Sequence, residues 1–258
     1  MSVTDEERLH GGLEAARVVR IDGAVHRPAG PWSGTVHGLL KHLQTKGFPA
    51  PRPLGFDDDG RERVSFIEGR AGTWPWPVAL LELAGPKQIG ALLARYHADV
   101  ADFTPPSPAI WQHGPEELAP GEIVLHGDFA PYNLIWREDE LVGVIDWDLA
   151  RPGRPIHDAA FAAFKCVPLR EDLAPLGFPS PPDRRARLET FAEAYGAFGA
   201  ADLVCAVFEV CAADIGRMER LGGQEIEPWS GWIRRGLLAR THHEMTWLRA
   251  WAREEHLL

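Results

Sequence analysis

Read for apolar periodicity, the chain changes character near residue 68. Before that point the runs are short and alternating. Ala16-Arg-Val-Val-Arg-Ile21 predicts a strand, Asp22-Gly23 a hairpin turn, and Ala24-Val-His-Arg27 the returning strand. Pro28-Ala-Gly-Pro-Trp-Ser-Gly34 breaks the pattern, and Val36, Leu39, Leu40 and Leu43 then recur at helical spacing until Gly47 stops them. A second hairpin is expected from Pro53-Leu-Gly-Phe56, the turn Asp57-Asp-Asp-Gly60, and Arg63-Val-Ser-Phe-Ile67. The order to about residue 67 is hairpin, helix, hairpin.

Beyond it, helical spacing takes over. Glu68-Gly-Arg-Ala-Gly72 reads as flexible by composition, and Trp74-Pro-Trp-Pro77 as a stiff connector. Ile89, Leu92, Leu93, Tyr96 and Val100 line one face of a helix, with His97 read as a packed histidine inside it. Pro105-Pro-Ser-Pro108 and Gly114-Pro115 mark a loop. Asp158 opens an Ala- and Phe-rich helix, as its N-cap or as an anchor for the loop before it. Three more helices are expected at about 183–198, 201–221 and 228–255.

Between these helical parts lies the segment with the clearest chemistry. Val124-Leu-His-Gly-Asp-Phe-Ala-Pro-Tyr-Asn133 is an apolar strand delivering a sharp turn, and a short hairpin later Val144-Ile-Asp-Trp-Asp148 ends a second apolar strand. Asn133 and Asp146 supply the hard oxygen donors that a divalent cation takes. Asp128 supplies a carboxylate able to orient or deprotonate a hydroxyl. That set is the minimum apparatus for phosphoryl transfer from a metal-bound nucleotide.

His126-Gly127-Asp128-(four residues)-Asn133 with Ile145-Asp146-Trp147-Asp148 resembles the catalytic loop and metal-binding aspartate of the aminoglycoside phosphotransferase and choline kinase-like superfamily. The resemblance implies an α+β, two-lobed protein-kinase-like fold. A small antiparallel-sheet lobe with one helix would occupy 1–68 and bind nucleotide. A larger, mainly helical lobe at 69–258 would carry catalysis and the acceptor. It implies ATP or GTP with Mg²⁺, Asp128 as the catalytic base, and Asn133 and Asp146 as metal ligands. His126 then bonds the loop backbone to hold Asp128, Asp148 braces the metal loop, and backbone groups of Phe66, Ile67 and Glu68 meet the adenine edge.

Gly11-Gly12 is the candidate turn over the phosphates. Members of the superfamily usually grip the phosphates with a strand Lys paired to a Glu on the following helix. Here the strand ends His26-Arg27 and the helix offers His37, so Arg27 is assigned to the phosphates. Several aminoglycoside kinases place an acidic residue inside the catalytic loop, where this chain has Ala130-Pro131-Tyr132. Tyr132, Glu209 and Asp214 are therefore the candidate acceptor contacts, with Glu219, Glu225 and Glu227 as further carboxylates.

Composition narrows the partners. A net charge of -10 over 258 residues argues against nucleic acid and is compatible with a cationic acceptor. No membrane-spanning run is evident, the acidic start is unlike a signal peptide, and a cytoplasmic enzyme fits. Cys166, Cys205 and Cys211 show no CxxC pairing and read as reduced, buried thiols. His242-His243-Glu244 makes a poor chelate, because adjacent helical residues point apart. The expectation is a kinase for a small hydroxylated acceptor, an aminoglycoside-like antibiotic or an amino alcohol, with nothing in the sequence bearing on oligomeric state. Two alternatives stay open. One is a metal-dependent phosphohydrolase, with His126, Asp128, Asp146 and Asp148 as ligands. The other is a catalytically silent kinase-like nucleotide-binding protein.

Overall fold

The structure, a computed structural model, describes residues 6–8 and 18–258. Its elements run β1 (Glu6–Arg8), β2 (Val19–Ile21), β3 (Ala24–Arg27), α1 (Ser33–Thr45), β4 (Pro53–Phe56), β5 (Glu62–Ser65), β6 (Arg70–Ala71), α2 (Val78–Leu81) and α3 (Ala84–Val100). Then come β7 (Ile110–Trp111), β8 (Gly114–Pro115), β9 (Ile123–Leu125), a 3₁₀ turn at Pro131–Asn133, β10 (Leu134–Arg137), β11 (Glu140–Val144) and β12 (Arg151–Gly153). The helices α4 (Pro155–Cys166), α5 (Arg184–Tyr195), α6 (Ala200–Gly223), α7 (Trp229–Arg234) and α8 (Leu237–Glu254) close the chain. By contact the chain divides into Met1–Gly72 with Arg95–Arg154, and Thr73–Ala94 with Pro155–Leu258.

In the first unit, the two expected hairpins join one antiparallel sheet in the order β1-β2-β3-β5-β4. The strand β1 is an addition to the reading from sequence. Helix α1 buries Val36, Leu39, Leu40 and Leu43 completely. Each such side chain contributes about 1.5–3 kcal/mol on burial. The segment Glu68–Gly72, expected to be flexible, is held. Arg70 and Ala71 pair with Trp136 and Ile135 of β10, and the Gly72 N–H donates to Pro131 and Leu134 carbonyls. Gly69 makes this possible. At φ 147° it lies where a Cβ would sit 2.6 Å from Ile135 and 2.7 Å from the Trp136 carbonyl. Phe48, Tyr96, Trp147 and His126 form a chain of ring contacts, and the Tyr96 hydroxyl donates to the Val124 carbonyl at 2.8 Å.

The second unit is helical. Asp183 caps α5 by accepting the Ala186 N–H, and α6 buries Leu203, Val204, Val207 and Cys211. The helix expected over 228–255 is broken in two, because Gly236 takes φ 77° after α7, a left-handed stop that glycine adopts without strain. Cys166 and Cys211 are buried as expected, and burial pushes the Cys211 thiol up to about 12. Cys205, on the outer face of α6, is exposed, which corrects the reading of all three as buried. Among the described residues no single helix is long and apolar enough to cross a membrane.

Candidate active site

The loop after β9 turns at Gly127, which only glycine can occupy. Its φ is 80°, and a Cβ would stand 2.1 Å from the Leu149 carbonyl oxygen. That close approach lays the 126–133 loop against the 145–149 segment. His126, fully buried, joins the two. Its Nδ1 accepts the Asp128 N–H at 3.2 Å, and its Nε2 lies 3.1 Å from the Ile145 carbonyl. One partner can only donate and the other only accept, so the ring is the Nε2–H tautomer with both nitrogens committed to backbone.

Asp128 is held at both oxygens. The Tyr132 hydroxyl donates to Oδ1 at 2.7 Å, and Asn133 Nδ2 donates to Oδ2 at 2.9 Å and to the Asp128 carbonyl at 3.0 Å. Both Asn133 partners are acceptors, which identifies the amide nitrogen and turns Oδ1 away from Asp128. Pairing of β10 with β11 brings the 145–148 segment alongside, and the Ile145 N–H donates to the Asn133 carbonyl at 2.9 Å. Asn133 and Asp146 therefore sit on adjoining backbone. Asp146 has φ 62°, a left-handed conformation that Asp tolerates better than most residues, and its side chain is about half exposed.

Arg27 reaches this loop from β3. Its NH2 donates to Asp148 at 2.8 Å, and its NH1 lies 3.4 Å from Asp146. Its Nε donates to Glu62 at 2.6 Å. Glu62, on β5 directly opposite Arg27, is fully buried, and its other oxygen lies 2.8 Å from His37 Nε2 of α1. Burial works against the Arg27 charge, but Asp148, Glu62 and Asp146 outweigh it and hold the guanidinium firmly ionised. Glu62 stays below its ordinary range: burial pushes it up, and His37 and Arg27 more than reverse that. Asp148 moves the other way, to about 6. Burial dominates there, Arg27 pulls it down, and Asp146 and Glu62 push it up.

The residues assigned from sequence fall into four groups. Asp128, Tyr132, Asn133, His126, Asp146, Asp148 and Arg27 lie within one connected set of bonds. Phe66, Ile67 and Glu68 follow β5, where an open cavity of about 490 Å³ borders all three. The Phe66 N–H is already donated to Gly23, and the Glu68 carbonyl accepts from Arg137 at 3.3 Å. Two groups offered to a base edge are thus used by the chain itself. Gly11 and Gly12 lie outside the described residues.

The remaining assignments belong to the helical unit. Glu209 pairs with His157 at 3.2 Å and Asp214 with Arg217 at 3.0 Å, both with part of the carboxylate exposed. Glu219 and Glu225 are exposed, and Glu227 accepts from the Ser230 hydroxyl and the Gly231 N–H at the start of α7. Asp158 is not an N-cap. Helix α4 starts at Pro155, and Asp158 is buried within the first turn, where a carboxylate favours the helix dipole.

A strand begun at Arg63 leaves Glu62 out of the sequence reading, whereas β5 begins at Glu62. Begun at 62, period-two alternation puts a glutamate on the same face as buried Val64, and a carboxylate at a core position is a signal in itself.

Comparison with known proteins bears on the whole arrangement. Residues 107–201 match the model of APH, the phosphotransferase enzyme family. The chain is 39% identical over 176 residues to a trifolitoxin immunity protein of Rhizobium leguminosarum bv. trifolii. The matched stretch covers 66% of this chain and 65% of that protein, just under two thirds of the relative. Among solved structures, the GDP complex of wild-type aminoglycoside 2'-phosphotransferase-IIIa aligns with TM-score 0.59 and 13% identity, covering 95% of this chain and 94% of that one. A choline kinase from Cryptosporidium parvum Iowa II aligns with TM-score 0.60 and 12% identity, covering 99% and 91%. The resemblance and the α+β kinase-like fold expected from residues 124–148 are both borne out.

Proposed function

From a chain with the protein-kinase-like fold of aminoglycoside phosphotransferases and choline kinases, we propose a nucleotide-dependent kinase. It transfers the γ-phosphoryl of ATP or GTP to a hydroxyl of a small molecule in the cytoplasm. The observation that carries this is Asp128, with Oδ2 held by Asn133 and Oδ1 already receiving a hydroxyl, that of Tyr132, at 2.7 Å. An acceptor hydroxyl takes that same position at Oδ1. Asp128 orients it and takes its proton late, as a loose, anionic transition state requires. The outward N–H groups of Arg27 exchange Asp146 and Asp148 for phosphate oxygens. Ile67 is the hinge residue best able to meet the base edge. Asn133 Oδ1 and the exposed Asp146 carboxylate are hard oxygen donors that fit Mg²⁺, and the ion, when bound, neutralises charge on the phosphate oxygens.

Two observations support an antibiotic or amino alcohol as acceptor. Glu209 and Asp214 keep exposed carboxylate area to meet an ammonium. The 39%-identical relative is named for immunity to a toxin. The phosphohydrolase reading loses a ligand, since both His126 nitrogens are engaged by backbone. The test is transfer from labelled ATP and GTP across aminoglycosides, other hydroxylated antibiotics, amino alcohols and neutral sugars. Asp128→Asn should lower the rate about 10²- to 10⁴-fold. Nucleotide binding without transfer to any acceptor would establish the silent reading instead.

A further inference from the structure

A buried carboxylate on a strand needs a reason. Glu62 has no exposed surface, stands where alternation demands an apolar residue, and meets both Arg27 and His37. A buried ion pair contributes little net stability against well-packed apolar residues of the same volume, so stability alone accounts for it poorly. Its geometry accounts for it better. Glu62 takes the Nε edge of Arg27 at 2.6 Å, which fixes the guanidinium plane and aims NH1 and NH2 at the metal loop. Register enforces this, since Arg27 and Glu62 are directly opposed on β3 and β5 and share a face of the sheet. His37 completes the support from α1. Its ring stacks on Phe56 at 5.0 Å and places Nε2 2.8 Å from the second Glu62 oxygen.

We propose that Glu62, backed by His37, is the positioning residue of the nucleotide-phosphate grip. It supplies from strand β5 the carboxylate that the superfamily resemblance leads one to expect on the helix. The usual arrangement is a strand cation paired with a helix anion. Here the strand cation is Arg27, the anion has moved to the neighbouring strand, and the helix contributes a histidine that holds the anion from behind. Arg27 then stands ready for phosphate oxygens without a glutamate on α1. The inference rests on the kinase reading above and says which residue makes its nucleotide site work.

The test uses the full chain with Mg-ATP and Mg-GTP as probes. Glu62→Gln should raise the nucleotide Kd and KM about 10- to 100-fold, the size of a lost bond to a charged group, while kcat at saturating nucleotide stays within about threefold. A purely structural role would move the melting temperature and leave that KM-against-kcat split unmade. Returning the carboxylate to the helix, His37→Glu in the Glu62→Gln background, should restore most of the affinity. A folded Glu62→Gln protein that binds nucleotide as the wild type does would overturn the proposal. Should that variant not fold, Glu62→Asp keeps the charge and withdraws it by one methylene, and an unchanged Kd there would overturn the proposal equally. If wild-type protein binds nucleotide and only the variants' affinities contradict expectation, the kinase reading survives alone. If wild-type protein binds none, both fall.

Discussion

Two arginines, one in each unit, keep their charge largely out of water, and they do so differently. Arg27 meets carboxylates: Glu62, Asp146 and Asp148. Arg187 on α5, only 2% exposed, meets carbonyls. Its guanidinium donates to the main-chain oxygens of Leu80, Leu81 and Glu82 at the end of α2, and of Cys166 and Val167 at the end of α4. Burial opposes the charge at both sites. At Arg27 the anions win and the pKa rises. At Arg187 burial dominates, and the pKa falls to about 10. Carbonyls at helix ends satisfy the donors and offset part of that penalty through the helix dipoles, but they cannot leave. In the proposed kinase, the carboxylates around Arg27 give way to phosphate oxygens. Arg187 is a fastener, and Arg27 on the proposed reading is a receptor.

The same substitution made twice sharpens this contrast. Arg187→Lys replaces five donors in a fixed fork with three on a point charge, leaving carbonyls of two helix ends unmet. It should destabilise the protein by about 3 kcal/mol in urea unfolding, as each buried unsatisfied acceptor costs about 1–3 kcal/mol. A loss under about 1 kcal/mol would show that water reaches those carbonyls and that Arg187 is no fastener. Arg27→Lys keeps a cation beside Glu62 but cannot also present two further N–H groups to the loop. Unfolding free energy should stay within about 1 kcal/mol, while nucleotide Kd rises about 3- to 10-fold. The reverse outcome, stability lost and affinity kept, would make the two arginines alike.

A third effect concerns pH. Asp148 titrates near 6 in the fold, above its ordinary value, so the native state binds the extra proton between about pH 4 and 6. Its contribution to stability is therefore fully present below the unfolded value and is lost as pH rises through about 6. Asp148→Asn removes that dependence. Relative to wild type, the variant should gain stability at pH 7 over pH 4, read from urea midpoints. A gain running in the opposite direction would mean that Arg27 compensates Asp148 more fully than burial penalises it.

How much of this was legible in the residues depends on how far apart the partners lie. The hairpin-helix-hairpin order, the α1 stripe of Val36, Leu39, Leu40 and Leu43, and the stop at Gly47 were readable because local periodicity and glycine conformations set them. The 126–133 loop was readable for the same reason. Asp128, Tyr132 and Asn133 lie within five positions of each other, and their mutual bonds follow once Gly127 turns the chain. Composition misled at Glu68–Gly72, where glycine suggested freedom but served close packing against β10. It also misled at 228–255, where helical spacing ran on across Gly236.

Sequence alone thus determined the hairpin-helix-hairpin order of the sheet, the main helices, and which loop carries the carboxylates, since those outcomes are set by neighbours along the chain. Tertiary structure decided the partners of charge. Glu62 stands 35 residues from Arg27, Asp148 stands 121 residues from it, and the Leu80 carbonyl stands 107 residues from Arg187. No spacing rule connects such pairs. A buried charge must find its counter-group wherever folding brings one, and only the sheet register and the packed helix ends determine what that group is.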